Sequence, residues 1–188
     1  MKKVFLFVFV ALLSTSLFAQ TTWTVDKAHS QVSFGITHMT IAEVTGLFRS
    51  FDASITAPGE GLENATYNVT IDVNSIDTGV EKRDDHLRSA DFFDVENHPE
   101  MTFKSTSSTK AGDNRYKVSG DLTLHGITKP VTLDVWHRGT ITKEDGTEVS
   151  GFQITGRVSR EEFNIGPDFP EAALSDDVRI KVDAEFTK

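Results

Sequence analysis

From Gln31 to His38 the chain places Val32, Phe34 and Ile36 on one parity and Ser33 and Thr37 on the other, the period of a strand with one buried face. Val44, Gly46 and Phe48 continue the pattern, which then changes phase to Phe51, Ala53 and Ile55 across Arg49-Ser50. A bulge makes such a change, and bulges bend sheets toward closure. Period-two runs follow at Tyr67 to Val73, Met101 to Phe103, Tyr116 to Leu124, Val131 to Val135, Phe152 to Val158 and Val178 to Phe186. Turn residues separate them, among them Ala111-Gly112-Asp113-Asn114, His125-Gly126 and Glu144-Asp145-Gly146. With Thr22 to Asp26 added, the pattern predicts an all-β chain of eight or nine strands. Long strands in sequential hairpin order favour an up-and-down antiparallel barrel over a sandwich. Eight strands enclose a narrow lumen, wide enough for side chains or one slender ligand. Ten-residue strands make it roughly 34 Å long before tilt.

One stretch breaks the alternation. Val80 to Phe93 reads as a short helix and turn, and an antiparallel sheet needs no helix to join its strands. The segment is therefore expected to cover something, as a lid. Thr78 followed by Glu81 fits a capping box, and Asp84 with Arg88 fits an ion pair one helical turn apart. Val80, Leu87 and Ala90 supply a thin apolar face, and Phe92 and Phe93 can plug a barrel end.

The first residues change the picture of where the chain works. Lys2-Lys3, an apolar run from Val4 to Leu13 and a cleavage zone ending at Ala19 predict a secretory signal over residues 1–19. The folded domain is then 20–188. The run is too short to span a bilayer comfortably, so the mature chain is expected without stable membrane insertion. The formal net charge is −9, and the two lysines of the leader make the remainder more acidic still. That balance argues against nucleic acid as a partner. The chain has no cysteine, which excludes disulfides and a lipid-modified Cys anchor. An outer-membrane barrel with reversed faces would need aromatic girdles, and only Trp23, Trp136, Tyr67 and Tyr116 are present to build them.

Catalytic signatures are missing: no Gly-x-Ser-x-Gly turn, no Cys nucleophile, no His-Glu-x-x-His and no Gly-x-Gly-x-x-Gly. The histidines are His29, His38, His86, His98, His125 and His137, and no two are spaced to aim at one metal from a single strand or helix. No metal site, required cofactor or catalytic residue is expected. His38 and His137 lie on the apolar parity at strand ends, where an inward imidazole could meet a polar ligand head or a backbone carbonyl. An alternative enzymatic reading uses His38 or His86 with a nearby carboxylate as general base.

Five ordered segments carry a resemblance. They are Trp23 to Ser30, Gly46 to Phe51, Arg83 to Asp94, Gly120 to Val131 and Ser175 to Val178. Together they resemble the YceI-like family of secreted polyisoprenoid-binding proteins, over the whole mature chain. The resemblance implies an extended, eight-stranded, lipocalin-like barrel in the periplasm. Its apolar tunnel would bind and transport or sequester an isoprenoid lipid, a quinone or a similar long-chain amphiphile. Carried onto this sequence, the ligand-binding positions are Val32, Phe34, Phe48, Phe51, Leu87, Phe92, Phe93, Phe103, Leu122, Leu124, Val131 and Leu133, with His38 and His137 added from their parity. His98 departs from the family pattern, since an aromatic is expected before Pro99. The head group of the cargo and a pairing of barrels into a homodimer both stay open.

Overall fold

The computed structural model describes residues 20–59 and 61–188, so the expected signal over 1–19 lies outside the described residues. Ten strands form one antiparallel sheet in the order β10-β9-β8-β7-β6-β4-β3-β1-β2-β5, and a β10–β1 pairing closes it. They are β1 (Thr21–His38), β2 (Ala42–Phe48), β3 (Phe51–Ala57), β4 (Thr66–Asp72), β5 (Ile76–Asp77), β6 (Glu100–Gly112), β7 (Arg115–Leu124), β8 (Ile127–Thr142), β9 (Glu148–Ser159) and β10 (Leu174–Thr187). The closed barrel has eight strands, and β2 and β5 are additions to it. One helix, α1 (Glu81–Arg88), lies between β5 and β6.

β1 pairs with β3 through Thr21 to Thr24 and with β2 through Val32 to His38. β2 and β3 are thus one stave broken at Arg49-Ser50, where the apolar phase changes. The two segments read as Thr22–Asp26 and Gln31–His38 are a single strand. Between them Asp26 to Gln31 spans the same stretch of β10 as Glu185 to Asp183, a bulge fixed by the Ala28 amide donating to Asp26 Oδ1 at 3.0 Å.

α1 differs from expectation at both ends. Val80 takes the N-cap position without a side-chain cap bond, so the Thr78–Glu81 capping box does not form. The Thr78 amide and hydroxyl instead donate to Asp84 Oδ1. Asp84 is buried by that contact, and Arg88 pairs with Asp85 at 2.9 Å rather than with Asp84. Arg88 also donates to the carbonyls of Asn74 and Ile76, which ties α1 to the barrel wall. Helix ends at Arg88 and turns carry the chain through Phe92 and Phe93; Leu87 faces inward, but Val80 and Ala90 are exposed.

The barrel is solid at one end and hollow at the other. Trp23, Ala57, Leu62, Val118, Tyr116 and Phe152 fill the end near the β3–β4 connection. The opposite end is closed by the α1 segment and by a second cover, the loop between β9 and β10. Arg160 organises that loop. Its guanidinium, 2% exposed, donates to the carbonyls of Ser175, Ile165, Gly166, Phe169 and Leu174 over 2.6–3.2 Å. Buried backbone acceptors need partners, and one cation supplies five of them here.

Candidate functional site

A cavity of about 510 Å³ occupies the hollow half, between the filled end and the two covers. That volume falls in the range of about 300–1,000 Å³ that small-molecule sites occupy. Every strand from β1 to β10 except β5 gives side chains to its wall, because inward parity is shared around a closed sheet. The wall is almost wholly apolar.

Thirteen of the sequence-derived positions meet here: Val32, Phe34, Phe48, Phe51, Phe103, Leu122, Leu124, Val131 and Leu133 from strands, Leu87, Phe92 and Phe93 from the α1 segment, and His38 at the mouth. His137 does not. It faces inward as its parity requires, but beyond the filled end, in a separate hollow with Trp23, Leu62 and Phe152. There its Nε2 meets Ser150 Oγ at 2.8 Å and Thr140 Oγ1 at 3.2 Å, and its ring stacks on Phe152 with centroids 5.1 Å apart. Burial pushes the imidazole pKa below its ordinary value. Alternation says which face a residue takes and nothing about its height along the barrel axis.

The sequence reading also missed wall residues. Phe169 and Ile165 come from the β9–β10 loop, where no periodicity marks them, and Met101 and Ile180 sit on inward parity next to recognised positions. Phe92 is central to the closure. Its ring lies 4.9 Å from that of Phe169 and 5.0 Å from the imidazole of His86. Phe93 meets Phe48 edge-on at 6.1 Å, and Phe48 meets Phe34 at 5.6 Å, so aromatic contact runs from the lid onto β2 and β1.

Few polar groups reach the wall, and several are already engaged. Arg83 donates to Thr78 Oγ1 at 2.7 Å and to its carbonyl at 2.8 Å. His86 Nε2 lies 3.0 Å from Asp91 Oδ2 at the solvent side of the lid. Tyr67 sits at the cavity floor with its hydroxyl buried and unbonded among the described residues, although Ser108 stands nearby. The Ser108 hydroxyl donates to Leu62 O at 2.7 Å. Burial pushes the Tyr67 phenol up to about 12, so it stays neutral. The chamber therefore offers dry, uncharged surface over most of its length.

Among the described residues, two side-chain groups could hold a metal ion. Asp26, His29 and Glu185 lie at the β1 bulge, with Asp26 Oδ2 and His29 Nδ1 2.9 Å apart on the open surface. Asp94, His98 and His125 lie between the lid turn and the β7–β8 hairpin, all half-buried. No histidine pairing was legible within one strand or helix because His98 and His125 meet across two elements, with ring centroids 4.8 Å apart.

The YceI-like domain model matches residues 23–186. Protein YceI of Salmonella agona is 38% identical over 187 residues, covering 97% of each chain. BcnA of Burkholderia cenocepacia superposes with a TM-score of 0.78 at 28% identity, over 86% of this chain and 98% of that one. A domain from Saccharophagus degradans, described as polyisoprenoid-binding and implicated in plant cell wall breakdown, shares the fold at a TM-score of 0.65 and 17% identity, over 87% and 97% of the two chains. With its closed eight-strand barrel, its short lid helix and a match over nearly all of its described length, this chain belongs to the YceI-like family.

Proposed function

We propose that this chain is an exported, periplasmic binding protein that takes a polyisoprenoid or similar long-chain amphiphile into its barrel and carries or sequesters it. The single observation behind this reading is the apolar cavity of about 510 Å³ closed by two aromatic-rich covers. The polyisoprenoid-binding description of the Saccharophagus degradans domain supports it by likeness of fold. Magnitudes favour a tail over a head group. Each buried CH₂ contributes roughly 0.8 kcal/mol, so a five-carbon prenyl unit contributes about 4 kcal/mol gross. A neutral head-group hydrogen bond contributes only about 1 kcal/mol net. Ordering a flexible tail offsets part of that gain, which leaves length and branching as the properties the wall can select.

Extraction of the protein purified from its native compartment, followed by mass spectrometry, tests the proposal; a long-chain lipid should be recovered in near-stoichiometric amount. Ala53 lines the cavity midway along β3, and Ala53→Trp should fill the lumen and lower that recovery. Phe92→Asp should do the same from the lid, since Phe92 belongs to none of the barrel's strand pairings. Repeated recovery of no long-chain lipid, or recovery from both variants as high as from the natural protein, overturns it.

One contact favours a second reading. His86, which borders the cavity, forms an imidazole–carboxylate pair with Asp91 on the solvent side of the lid, the arrangement a general base uses. Turnover of a bound lipid that is lost in His86→Ala would establish a lipid-processing enzyme; turnover unchanged in both His38→Ala and His86→Ala dismisses it.

A further inference from the structure

We propose that Asp94, His98 and His125 form a binding site for a zinc-class divalent transition-metal ion, with one coordination position left for water, and that the ion clasps the lid turn to the β7–β8 hairpin. The inference is independent of any lipid cargo. It rests on how three separate local structures aim one donor each at a common point. Ligand atoms of the three side chains lie within 4.8 Å of one another.

Asp94 and His98 come from the turn that follows Phe93. The His98 amide donates to the Asp94 carbonyl at 2.8 Å, which closes the turn, and the two side chains converge across it. Asn97 Nδ2 donates to both Asp94 carboxylate oxygens, at 3.1 and 2.9 Å. A carboxylate has about four lone-pair positions, so it stays able to bind a cation while Asn97 fixes its orientation.

His125 occupies an unusual place for its type. It and Gly126 are the two turn residues between β7 and β8, with φ of 52° and 72°, a type I′ geometry that prefers Asn-Gly. An imidazole stands where an amide is the easier choice, and it is anchored: Nδ1 donates to the Phe163 carbonyl at 3.1 Å. A carbonyl only accepts, so that bond fixes the proton on Nδ1 and leaves the Nε2 lone pair free. Metal-bound histidines show this arrangement, one ring nitrogen on a backbone carbonyl and the other on the ion.

Gly126 also makes room for the second imidazole. A Cβ at that position would sit 2.7 Å from His98 Cε1. The two rings meet at 74°, edge to face, rather than in a stack. Two imidazoles and one carboxylate with an open position suit zinc(II), as three-ligand zinc sites do. Zinc bonds of about 2.0–2.1 Å set tetrahedral ligands roughly 3.4 Å apart, a spacing these three donors can reach by side-chain adjustment alone. Because Phe163 belongs to the β9–β10 cover, the bound ion would brace both covers of the cavity at once.

Titration of zinc(II) alone into chelator-stripped full-length protein should show one ion per chain, and cobalt(II) in its place should give the intense visible bands of a four-coordinate site. His98→Gln and His125→Gln should each weaken zinc binding by more than the roughly 10–100-fold that loss of an outer partner costs, with circular dichroism unchanged. Zinc should raise the unfolding midpoint of the natural protein and leave that of either variant unmoved. His29→Gln, at the exposed surface group, should bind zinc as the natural protein does. Absence of stoichiometric uptake, uptake indifferent to both His98 and His125, or uptake lost with His29→Gln overturns the proposal.

Discussion

Phe92 and Phe169 lie ring against ring, centroids 4.9 Å apart and planes 32° from parallel, and through this contact the α1 segment and the β9–β10 loop close the cavity together. Gly166 permits it, since a Cβ there would stand 2.6 Å from Phe92 Cε1. Because each ring covers the other, removing one leaves its partner facing the hollow. Phe92→Ala and Phe169→Ala should couple in a double-mutant cycle by about 0.5–1.5 kcal/mol, measured by urea unfolding. Strict additivity would mean that the two covers close separately.

Phe34 and Gly46 are cross-strand partners on β1 and β2, and the Phe34 ring lies over the glycine so closely that a Cβ would meet its Cζ at 2.3 Å. The ring occupies space that a side chain at position 46 would need. Gly46→Val should push it inward, cost about 1–3 kcal/mol of stability and shorten the longest lipid recovered. Mass spectrometry of the extracted lipid against that of the natural protein reads the second effect. An unchanged chain-length distribution would show that Phe34 does not bound the lumen.

Parity was the legible part of this molecule. Val32, Phe34, Leu122 and Leu133 were readable as cavity wall because a barrel turns one face of every strand inward; the phase change at Arg49-Ser50 was visible too, but it suggested a bulge where the chain instead ends β2 and begins β3. What parity omits is position along the axis, which is why His137 shares the inward face yet lies beyond the filled end. Local rules also lost where tertiary contact outweighed them. Thr78 matches a capping box, but its hydroxyl bonds Asp84, and the burial of that pair draws Asp84 away from Arg88. The meeting of Asp94 and His98 with His125 comes from the β6–β7 pairing, which sets the turn before β6 beside the β7–β8 hairpin, and no spacing within one element announces it.

Arg160 should be the most costly polar residue of the β9–β10 cover to replace. Its guanidinium holds the carbonyls of Ile165, Gly166, Phe169, Leu174 and Ser175, and a methionine of similar length could bond none of them. Each buried acceptor left unpaired costs about 1–3 kcal/mol, although loop relaxation to water will recover some of them. Arg160→Met should therefore destabilise by at least about 3 kcal/mol in chemical denaturation. Amide exchange should rise from Glu161 to Ala173 before it rises in the strands. A loss below about 1 kcal/mol would mean that the loop holds its shape without the cation.

His137 and His29 should make stability depend on pH in opposite directions. Burial holds His137 below its ordinary 6.5, so between 6.5 and its folded value the unfolded chain carries more protons. Its contribution is present above about 6.5 and is lost as pH falls through the depressed pKa. His29 is raised above 6.5, first by its hydrogen bond to Asp26 and then by the charge of that carboxylate. Its contribution is present below about 6.5 and is lost as pH rises through the elevated pKa. Unfolding midpoints of His137→Gln and His29→Gln, each subtracted from the natural protein across this range, isolate the two slopes. The His137 difference should fall on acidification and the His29 difference should fall on alkalinisation. A flat His137 difference would mean that its ring remains as hydrated in the fold as in the unfolded chain, against its placement between Phe152 and Ser150.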